Sequence, residues 1–182
     1  MLTKFDKSWT LFLDRDGVIN EKRENDYIKN WNEFVFIPGA LKALLILASL
    51  FENIIIVTNQ RGVGKGLMTE KELLSIHGKM LQIVNQNAGR IDKIYYCIDT
   101  SEYSYNRKPN IGMGIQAKKD FPKINFTKSI MIGDSITDME FGKNLGMTTI
   151  YIDKKENIVE FSRLIDFRFS SLIDVVNFLI IK

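Results

Sequence analysis

The feature that most constrains the fold of this chain is a short apolar run that ends in two carboxylates. Residues Leu11–Leu13 form the continuous hydrophobic stretch typical of a parallel β-strand buried on both faces, and Gly17 permits a sharp turn after it. Asp14 and Asp16 would then stand at the carboxyl end of the strand, where open α/β sheets bind ligands. The pair is compatible with a divalent-cation site, in which the cation offsets the like charges, or with an ordinary polar turn.

Strand-like and helix-like segments alternate along the chain, which indicates an α/β fold with a central parallel sheet flanked by helices. Ile54–Val57 is the clearest buried strand, Thr69 and Glu72 form a capping-box pattern that starts a helix reaching about residue 86, and the polar stretch 21–32 is predicted as a flap. The helix over 40–50 is predicted to bury Leu41, Leu44, Leu45 and Ala48. Further strands are predicted at 93–97, 129–132, 148–152 and 167–169, and further helices at 112–120, after 135 and from 171.

Length and composition favour an ordinary soluble globular protein. The 182 residues are expected to form a single domain, with 45% hydrophobic and 26% charged residues. The net charge of +3 comes from scattered lysines, so no nucleic-acid or membrane surface is demanded, although an anionic substrate would be favoured. The lone Cys97 and the lack of signal-peptide or transmembrane runs in the sequence favour a cytoplasmic protein, which we expect to be monomeric. The only histidine, His77, is expected to be a surface or half-buried structural residue.

Polar side chains follow three of the predicted strands, and a parallel arrangement would bring them to one edge of the sheet. They are the carboxylates of Asp14, Asp16 and Asp134 and the hydroxyl and amide groups of Thr58 and Asn59. Lys108 adds a positive charge. Hard oxygen ligands suit Mg²⁺, which keeps several waters and is commonly shared with a substrate phosphate. The constellation therefore predicts a magnesium-assisted reaction on a phosphorylated substrate.

The charge arrangement indicates phosphoryl transfer through a covalent intermediate. Asp14, at the end of the strand, is predicted to attack phosphorus and form an aspartyl-phosphate. Asp16 is predicted to protonate the leaving alcohol and then to deprotonate the water that hydrolyses the intermediate. Thr58 and Lys108 would hold the non-bridging phosphate oxygens. Transfer to an acceptor other than water and a catalytically inactive binding protein of the same fold remain competing interpretations, although the latter would not need the carboxylate of Asp16.

Four segments resemble, in order and spacing, the motifs of the haloacid dehalogenase superfamily of phosphohydrolases. They are Asp14–Val18, Val57–Asn59, Lys108 with Pro109, and Gly133–Asp138. The resemblance implies a Rossmann-like fold in which Asp14 is a nucleophile that also binds Mg²⁺. It implies that Asp16 is an acid/base that lends a backbone carbonyl to the metal, and that Asp134 completes the protein ligands. It gives Asp138 a supporting role.

Within the superfamily the sequence is similar, from about Leu11 to Ile152, to D-glycero-D-manno-heptose 1,7-bisphosphate 7-phosphatases and the related histidinol-phosphate phosphatases. The segments that carry this similarity are Phe12–Asn20, Thr58–Gly66, Tyr95–Cys97, Arg107–Pro109 and Gly112 with Met113. The likeness implies a fold without a large cap domain and removal of the 7-phosphate from a heptose bisphosphate. It implies substrate contacts from Asn59, Lys65 and Arg107; the alternative for the two bases is an ordinary exposed position.

The loop after the third strand departs from both enzyme groups, which usually carry a zinc site of three cysteines and a histidine. Here only Cys97 matches a ligand, Asp99 stands near the histidine position, and the stretch to Arg107 is shortened. A structural zinc site needs about four nitrogen or sulfur ligands, so no zinc is expected. The departure leaves the catalytic positions unchanged but removes part of the loop that would determine specificity.

Two other substrates remain open. The segments Thr58–Gly66 and 108–113 also resemble polynucleotide 3'-phosphatases, but the sequence lacks a basic, aromatic-rich groove-forming segment and its charge is nearly balanced. Histidinol phosphate carries a cationic amine, which would fit poorly beside Lys65 and Arg107. We therefore expect a phosphorylated sugar as the substrate and no nucleic-acid partner.

Overall fold

The computed structural model describes residues 6–153 and 162–181, over which strands and helices alternate. The single-domain expectation also covers residues 1–5, 154–161 and 182, which lie outside the described residues. The strands are β1 (Thr10–Leu13), β2 (Asn53–Asn59), β3 (Lys93–Cys97), β4 (Ser129–Gly133), β5 (Thr148–Ile152) and β6 (Phe167–Phe169). The helices are α1 (Ala40–Leu50), α2 (Arg61–Gly64), α3 (Glu70–Gln86), α4 (Gly112–Asp120), α5 (Ile136–Asn144) and α6 (Leu172–Ile180).

The strands form one parallel sheet in the order β3-β2-β1-β4-β5-β6. The chain extends the sheet from β1 outward through β2 and β3, and then resumes on the other side of β1 with β4. The order therefore reverses between β1 and β4, and such switch points open a crevice at the carboxyl ends of the strands. The α/β prediction is confirmed, and the described residues contain no large cap.

The sheet separates two hydrophobic cores because successive side chains of a strand point to opposite faces. Leu11 and Leu13 belong to the larger core with α1, α3 and α6, whereas Phe12 belongs to the smaller core with α4 and α5. All three side chains are fully buried. Burial of one such side chain contributes about 1.5–3 kcal/mol, so β1 is firmly held and provides a rigid support for the residues that follow it.

Helix α1 buries a different face from the predicted one. The structure buries Ala40, Ala43, Leu44 and Leu47, while Leu45 is 44% exposed. Nearly every residue of α1 is apolar, so the hydrophobic pattern does not show which face of the helix is buried. Packing against α6 and α3 selects the face instead.

The polar stretch 21–32, named here the flap, lies over the carboxyl ends of the strands as predicted. Its start is fixed by the amide of Glu21, which donates to the carbonyl of Val35 at 2.8 Å. Its far end is fixed by Trp31, whose ring stacks on Phe34 with centroids 4.9 Å apart. Ile28 is buried between these anchors. In the described part of the chain, none of the helices is both long enough and apolar enough to cross a bilayer.

Candidate active site

Three carboxylates meet at the crevice between β1 and β4, and we call them the acidic cluster. Asp14 directly follows β1, Asp134 directly follows β4, and Asp138 lies in the first turn of α5. One carboxylate oxygen from each lies within 4.8 Å of the others. Gly17 and Gly133 permit this approach, since a Cβ at Gly17 would stand 2.1 Å from Asp134 Oδ2, and one at Gly133 would stand 2.2 Å from the Cβ of Asp138. The crevice therefore collects three oxygen donors that could hold a divalent cation.

Lys108 places a buried ammonium beside this cluster. Its Nζ lies 3.0 Å from Asp14 and 2.5 Å from Asp138, and it donates to the carbonyl of Val57 at 2.7 Å. Burial lowers the pKa of Lys108, but the carboxylates of Asp138 and Asp14 outweigh burial, and the net pKa shift is upward. The lysine therefore stays charged and compensates part of the acidic cluster.

Asn59 positions the backbone of Lys108. Its side-chain oxygen accepts from the amide of Lys108 at 3.0 Å, and its side-chain nitrogen donates to the carbonyl of Lys108 at 3.1 Å. Both ends of the amide are thus engaged within the protein. Asn59 lines the cavity, where its hydrogen bonds hold Lys108 in place, and its contact with a substrate stays a prediction.

Negative charge remains in excess around Asp14. Burial raises the pKa of Asp14, Lys108 lowers it, and the carboxylates of Asp138, Asp134 and Asp16 raise it again, which leaves the pKa at about 7. A second cation would relieve this excess. The ammonium of Lys22, from the flap, lies 2.9 Å from Asp134 and supplies part of that compensation. The sequence does not reveal the role of Lys22, because nothing in a polar stretch shows where a long side chain reaches.

The carboxylate of Asp16 is turned away from the acidic cluster. One Nη atom of Arg15 lies 2.9 Å from both of its oxygens, and Asn20 and Gln60 donate to it at 2.8 Å and 2.9 Å. Burial raises the pKa of Asp16, but Arg15, Asn20 and Gln60 outweigh burial and the net pKa shift is downward. Asp16 therefore lines the cavity as a hydrogen-bonded carboxylate that stands outside the acidic cluster, and its backbone carbonyl stays a predicted metal ligand.

His77 lies behind Asp16, and its predicted exposure is wrong. It is only 4% exposed, and its Nε2 lies 3.2 Å from Nη1 of the fully buried Arg15. Burial and the charge of Arg15 lower the pKa of His77 to about 3, so the ring is neutral at physiological pH. His77 is buried because it packs against the guanidinium that holds Asp16, a contact between α3 and the loop after β1 that the sequence does not reveal.

Thr58 and Gln60 act together at the end of β2. Thr58 is 1% exposed, and its hydroxyl oxygen accepts from Gln60 Nε2 at 2.9 Å. This leaves the hydroxyl proton of Thr58 available to a ligand. Gln60 lines the cavity, and the sequence analysis did not assign it a role. Its two-residue spacing from Thr58 was the available signal, since positions i and i+2 of an extended chain share a face.

A cavity of ≈ 220 Å³ unites most of these groups, although Thr58 and His77 are not among its lining residues. Its floor is formed by Asp14, Asp134, Asp138 and Lys108, and its roof by flap residues that include Lys22 and Tyr27. Asp138 therefore belongs to the site itself and not only to its support. The pattern Ser135-x-x-Asp138 was a signal, because its capping box turns α5 so that Asp138 faces Lys108.

The two predicted substrate-binding bases lie beside the cavity and do not line it. Lys65 follows α2, and its Nζ lies 5.2 Å from the ring centroid of Tyr27, which is itself a cavity residue. Arg107 lies in the loop after β3, where the charge of Arg61 helps to lower its pKa after the larger effect of burial. The structure thus places Lys65 beside Tyr27 and Arg107 in the loop after β3, and it leaves their contact with a substrate as a prediction.

The loop after β3 is closed by hydrogen bonds. The buried thiol of Cys97 lies 3.7 Å from Asp99 and 3.8 Å from the hydroxyl of Ser104, which also donates to Asp99. Asn110 donates to the carbonyls of Glu102 and Ser104 at 3.1 Å and 2.9 Å. These contacts fix the course of the shortened loop that carries Arg107.

Comparison with known proteins gives consistent matches. The profile of the family described as polynucleotide kinase 3 phosphatase matches residues 1–176. A D-glycero-alpha-D-manno-heptose-1,7-bisphosphate 7-phosphatase of Mycobacterium bovis is 38% identical over 138 residues, which are 75% of this chain and 73% of that protein. The enzyme of the same name from Campylobacter jejuni is 33% identical over 94% of this chain and 96% of its own length.

A solved structure shares the fold. The D,D-heptose 1,7-bisphosphate phosphatase from B. bronchiseptica, complexed with magnesium and phosphate, superposes with a TM-score of 0.83. The match covers 94% of this chain and 98% of that one at 23% identity. At this identity the likeness establishes the architecture of the sheet and its flanking helices.

Proposed function

The chain belongs to the polynucleotide kinase 3 phosphatase family within the haloacid dehalogenase superfamily, and on this basis we propose that it is a Mg²⁺-dependent phosphatase that removes the 7-phosphate of D-glycero-D-manno-heptose 1,7-bisphosphate. One observation supports the proposed reaction: a single cavity at the ends of β1 and β4 brings together Asp14, Asp134, Asp138 and Lys108. The choice of substrate is based on relatives with this name, which match most of the chain.

The acidic cluster fits a magnesium ion. Asp14 and Asp134 would supply carboxylate oxygens, with Asp138 behind them and the backbone carbonyl of Asp16 as a further candidate. Hard oxygen donors in this number suit Mg²⁺, and burial, together with the neighbouring carboxylates, raises the pKa of Asp14 to about 7. When bound, the ion would neutralise charge on the carboxylates and on the transferring phosphoryl group.

Asp14 would act as the nucleophile. Its carboxylate attacks phosphorus, a bond forms between Oδ and phosphorus, and the bond from phosphorus to the sugar oxygen breaks. Asp16 would give its proton to that sugar oxygen, so it must carry a proton when substrate is bound. In the free protein Arg15, Asn20 and Gln60 hold the pKa of Asp16 down, so we infer that the negative charge of an incoming phosphate promotes proton uptake.

The second half of the reaction returns the enzyme to its starting state. Asp16, now a carboxylate, would take a proton from water as the water oxygen attacks phosphorus, and the acyl phosphate bond to Asp14 breaks. The lowered pKa of Asp16 favours its deprotonated form, which is the form that can accept this proton. Lys108 and the hydroxyl of Thr58 would hold non-bridging phosphate oxygens throughout.

The substrate would be oriented by bases beside the cavity. Lys65 lies beside Tyr27 and Arg107 lies in the loop after β3, and both would contact the remainder of a sugar phosphate if it extends past Tyr27. An anionic sugar suits these charges better than histidinol phosphate, whose amine is cationic. A polynucleotide 3'-phosphatase is the second candidate, favoured by the description of the matching family. The net charge of only +3 argues against nucleic acid.

Phosphate release tests this proposal. Purified protein is assayed with the heptose bisphosphate, a 3'-phosphorylated oligonucleotide and histidinol phosphate, each with Mg²⁺ and with EDTA. We expect Mg²⁺-dependent release, with kcat/KM for the bisphosphate at least about tenfold above the others. An Asp14→Asn preparation controls for contaminating phosphatases. A higher kcat/KM for the oligonucleotide would favour the second candidate, and no release from any of the three would refute the proposed function.

A further inference from the structure

Three segments meet beside the cavity around the ring of Tyr27. A Cβ at Gly62 would stand 3.1 Å from that ring, so α2 packs directly against the flap. A Cβ at Gly64 would stand 2.2 Å from the carbonyl oxygen of Ile98, so α2 also packs against the loop after β3. The two glycines therefore let a short helix pack between the flap and the loop after β3.

This junction collects three cations, which we call the basic cluster: Arg61, Lys65 and Arg107. Arg61 is tied to the loop because its Nη2 donates to the carbonyl of Thr100 at 3.2 Å. Within residues 6–153 and 162–181, no carboxylate lies within 4.0 Å of any of the three side-chain charges. Glu102 acts on Arg107 from a greater distance. The cluster thus holds like charges together without direct compensation.

Arg61 and Arg107 act on each other electrostatically in the free protein. The charge of Arg61 lowers the pKa of Arg107, second only to burial, which means that the two guanidinium charges repel each other. Nε of Arg61 and Nη1 of Arg107 are also buried without a hydrogen-bond partner in the described structure. An anion seated between the two side chains would turn this repulsion into attraction.

We propose that Arg61 is a specificity-determining residue which, together with Arg107, binds a second phosphate group on the same substrate whose first phosphate enters the acidic cavity. The proposal rests on the proposed phosphatase function and extends it to this arginine. Guanidinium groups bind phosphate oxygens through paired charge-assisted hydrogen bonds, and two of them can share one dianion.

The position of Tyr27 explains why one substrate would reach both places. Its ring lines the ≈ 220 Å³ cavity, and Lys65 lies over the same ring at 5.2 Å. The cavity and the basic cluster are therefore neighbours that meet at Tyr27. A molecule with a single phosphate fills only the first position, whereas a sugar bisphosphate can fill both.

The main test compares Arg61→Gln with the unchanged protein on two substrates. The heptose bisphosphate has a second phosphate, and p-nitrophenyl phosphate does not. We expect KM for the bisphosphate to rise about tenfold more than KM for p-nitrophenyl phosphate, which is the size expected for loss of one charged contact. Arg61→Lys should recover part of this difference because it keeps the charge. Lys119→Gln, which removes an exposed cation on α4, is the matched control and should change neither KM by more than about twofold.

A binding measurement separates this inference from the proposed function. Calorimetry with the bisphosphate in EDTA needs no turnover, and Arg61→Gln should raise Kd about tenfold. If that variant does not fold, the unchanged protein should still bind the bisphosphate about tenfold more tightly than the 7-monophosphate of the same sugar. Equal effects on both substrates, or equal binding in these comparisons, would overturn the role of Arg61. Failure of the unchanged protein to hydrolyse any phosphate ester would instead count against the proposed function.

Discussion

The acidic cluster and the basic cluster are neighbours that differ in how their charges are compensated. The carboxylates of Asp14 and Asp138 are tied to the buried Lys108 at the ends of rigid strands, and Asp134 is tied to Lys22. The cations of the basic cluster lie on a short helix and a loop and have no carboxylate within ion-pair distance in the described residues. Chemistry needs groups fixed within a few tenths of an ångström, which strand ends provide, while selection of a substrate needs charges that remain available to a ligand.

Replacement of the proposed nucleophile should show the largest difference in activity between a change in the acidic cluster and a change in the basic cluster. Asp14→Asn keeps the size of the side chain but removes the attacking charge, so we expect kcat to fall by at least about 10⁴-fold for the bisphosphate and for p-nitrophenyl phosphate alike. Steady-state assays of both substrates check this. Glu140→Gln, a carboxylate of α5 outside the acidic cluster, is the control. A loss confined to one substrate would mean that Asp14 selects substrates and does not react.

Removal of the buried lysine should lower stability, unlike removal of a cation from the basic cluster. Lys108→Met leaves the carboxylates of Asp14 and Asp138 buried without their partner, so the free energy of unfolding should fall by about 3–5 kcal/mol. Urea denaturation in EDTA measures this, with Lys119→Met as the exposed control, expected within about 0.5 kcal/mol of the unchanged protein. A similar small loss for Lys108→Met would show that the ion pairs contribute little.

The free energy of unfolding should depend on pH through His77, which lies behind Asp16 and is neutral in the folded protein. Its pKa of about 3 lies below the ordinary 6.5, so between these values the unfolded chain binds a proton that the folded protein does not. Stability should therefore fall as pH decreases from 6.5 toward 3, by about 2 kcal/mol at pH 5. His77→Gln keeps an acceptor for Arg15 and should lack this loss in urea titrations at pH 7 and pH 5. Parallel pH curves for the two proteins would contradict the low pKa of His77.

The metal requirement should reside in the acidic cluster alone. Asp134→Asn removes a charged oxygen donor, so the Mg²⁺ concentration for half-maximal activity should rise at least about tenfold. Arg61→Gln should leave that concentration within about twofold, because the basic cluster holds no oxygen donor. Magnesium titration of both variants makes the comparison. An unchanged requirement in Asp134→Asn would remove Asp134 from the ligand set.

Much of the fold could be predicted from the sequence because its elements carry strong local signals. The β-branched run in β2 and the Thr69 capping box predicted elements that the structure confirms. Helix α6, with polar residues between its apolar ones, buries the predicted face of Leu172, Val175, Val176 and Leu179. The buried face of the uniformly apolar α1 could not be predicted in this way, since only its neighbours determine which side is buried.

The site could be predicted where residues stand at strand ends and not where side chains cross between elements. The positions of Asp14, Asp134 and Lys108 follow from motif order and parallel topology. The contact between His77 and Arg15 joins residues 62 positions apart, and the bond from Lys22 to Asp134 joins residues 112 apart. Such pairs depend on the folded geometry, and no local pattern encodes them.

Identification of the phosphorylated residue tests the central claim most directly. Asp16→Asn should slow hydrolysis of the intermediate, so the variant is mixed with p-nitrophenyl phosphate and Mg²⁺, quenched in acid and treated with borohydride, which reduces an acyl phosphate to an alcohol but leaves free carboxylates intact. Peptide mass spectrometry then locates the reduced side chain. The account predicts reduction at Asp14. Reduction at another carboxylate, or none while the unchanged protein turns over, would contradict it.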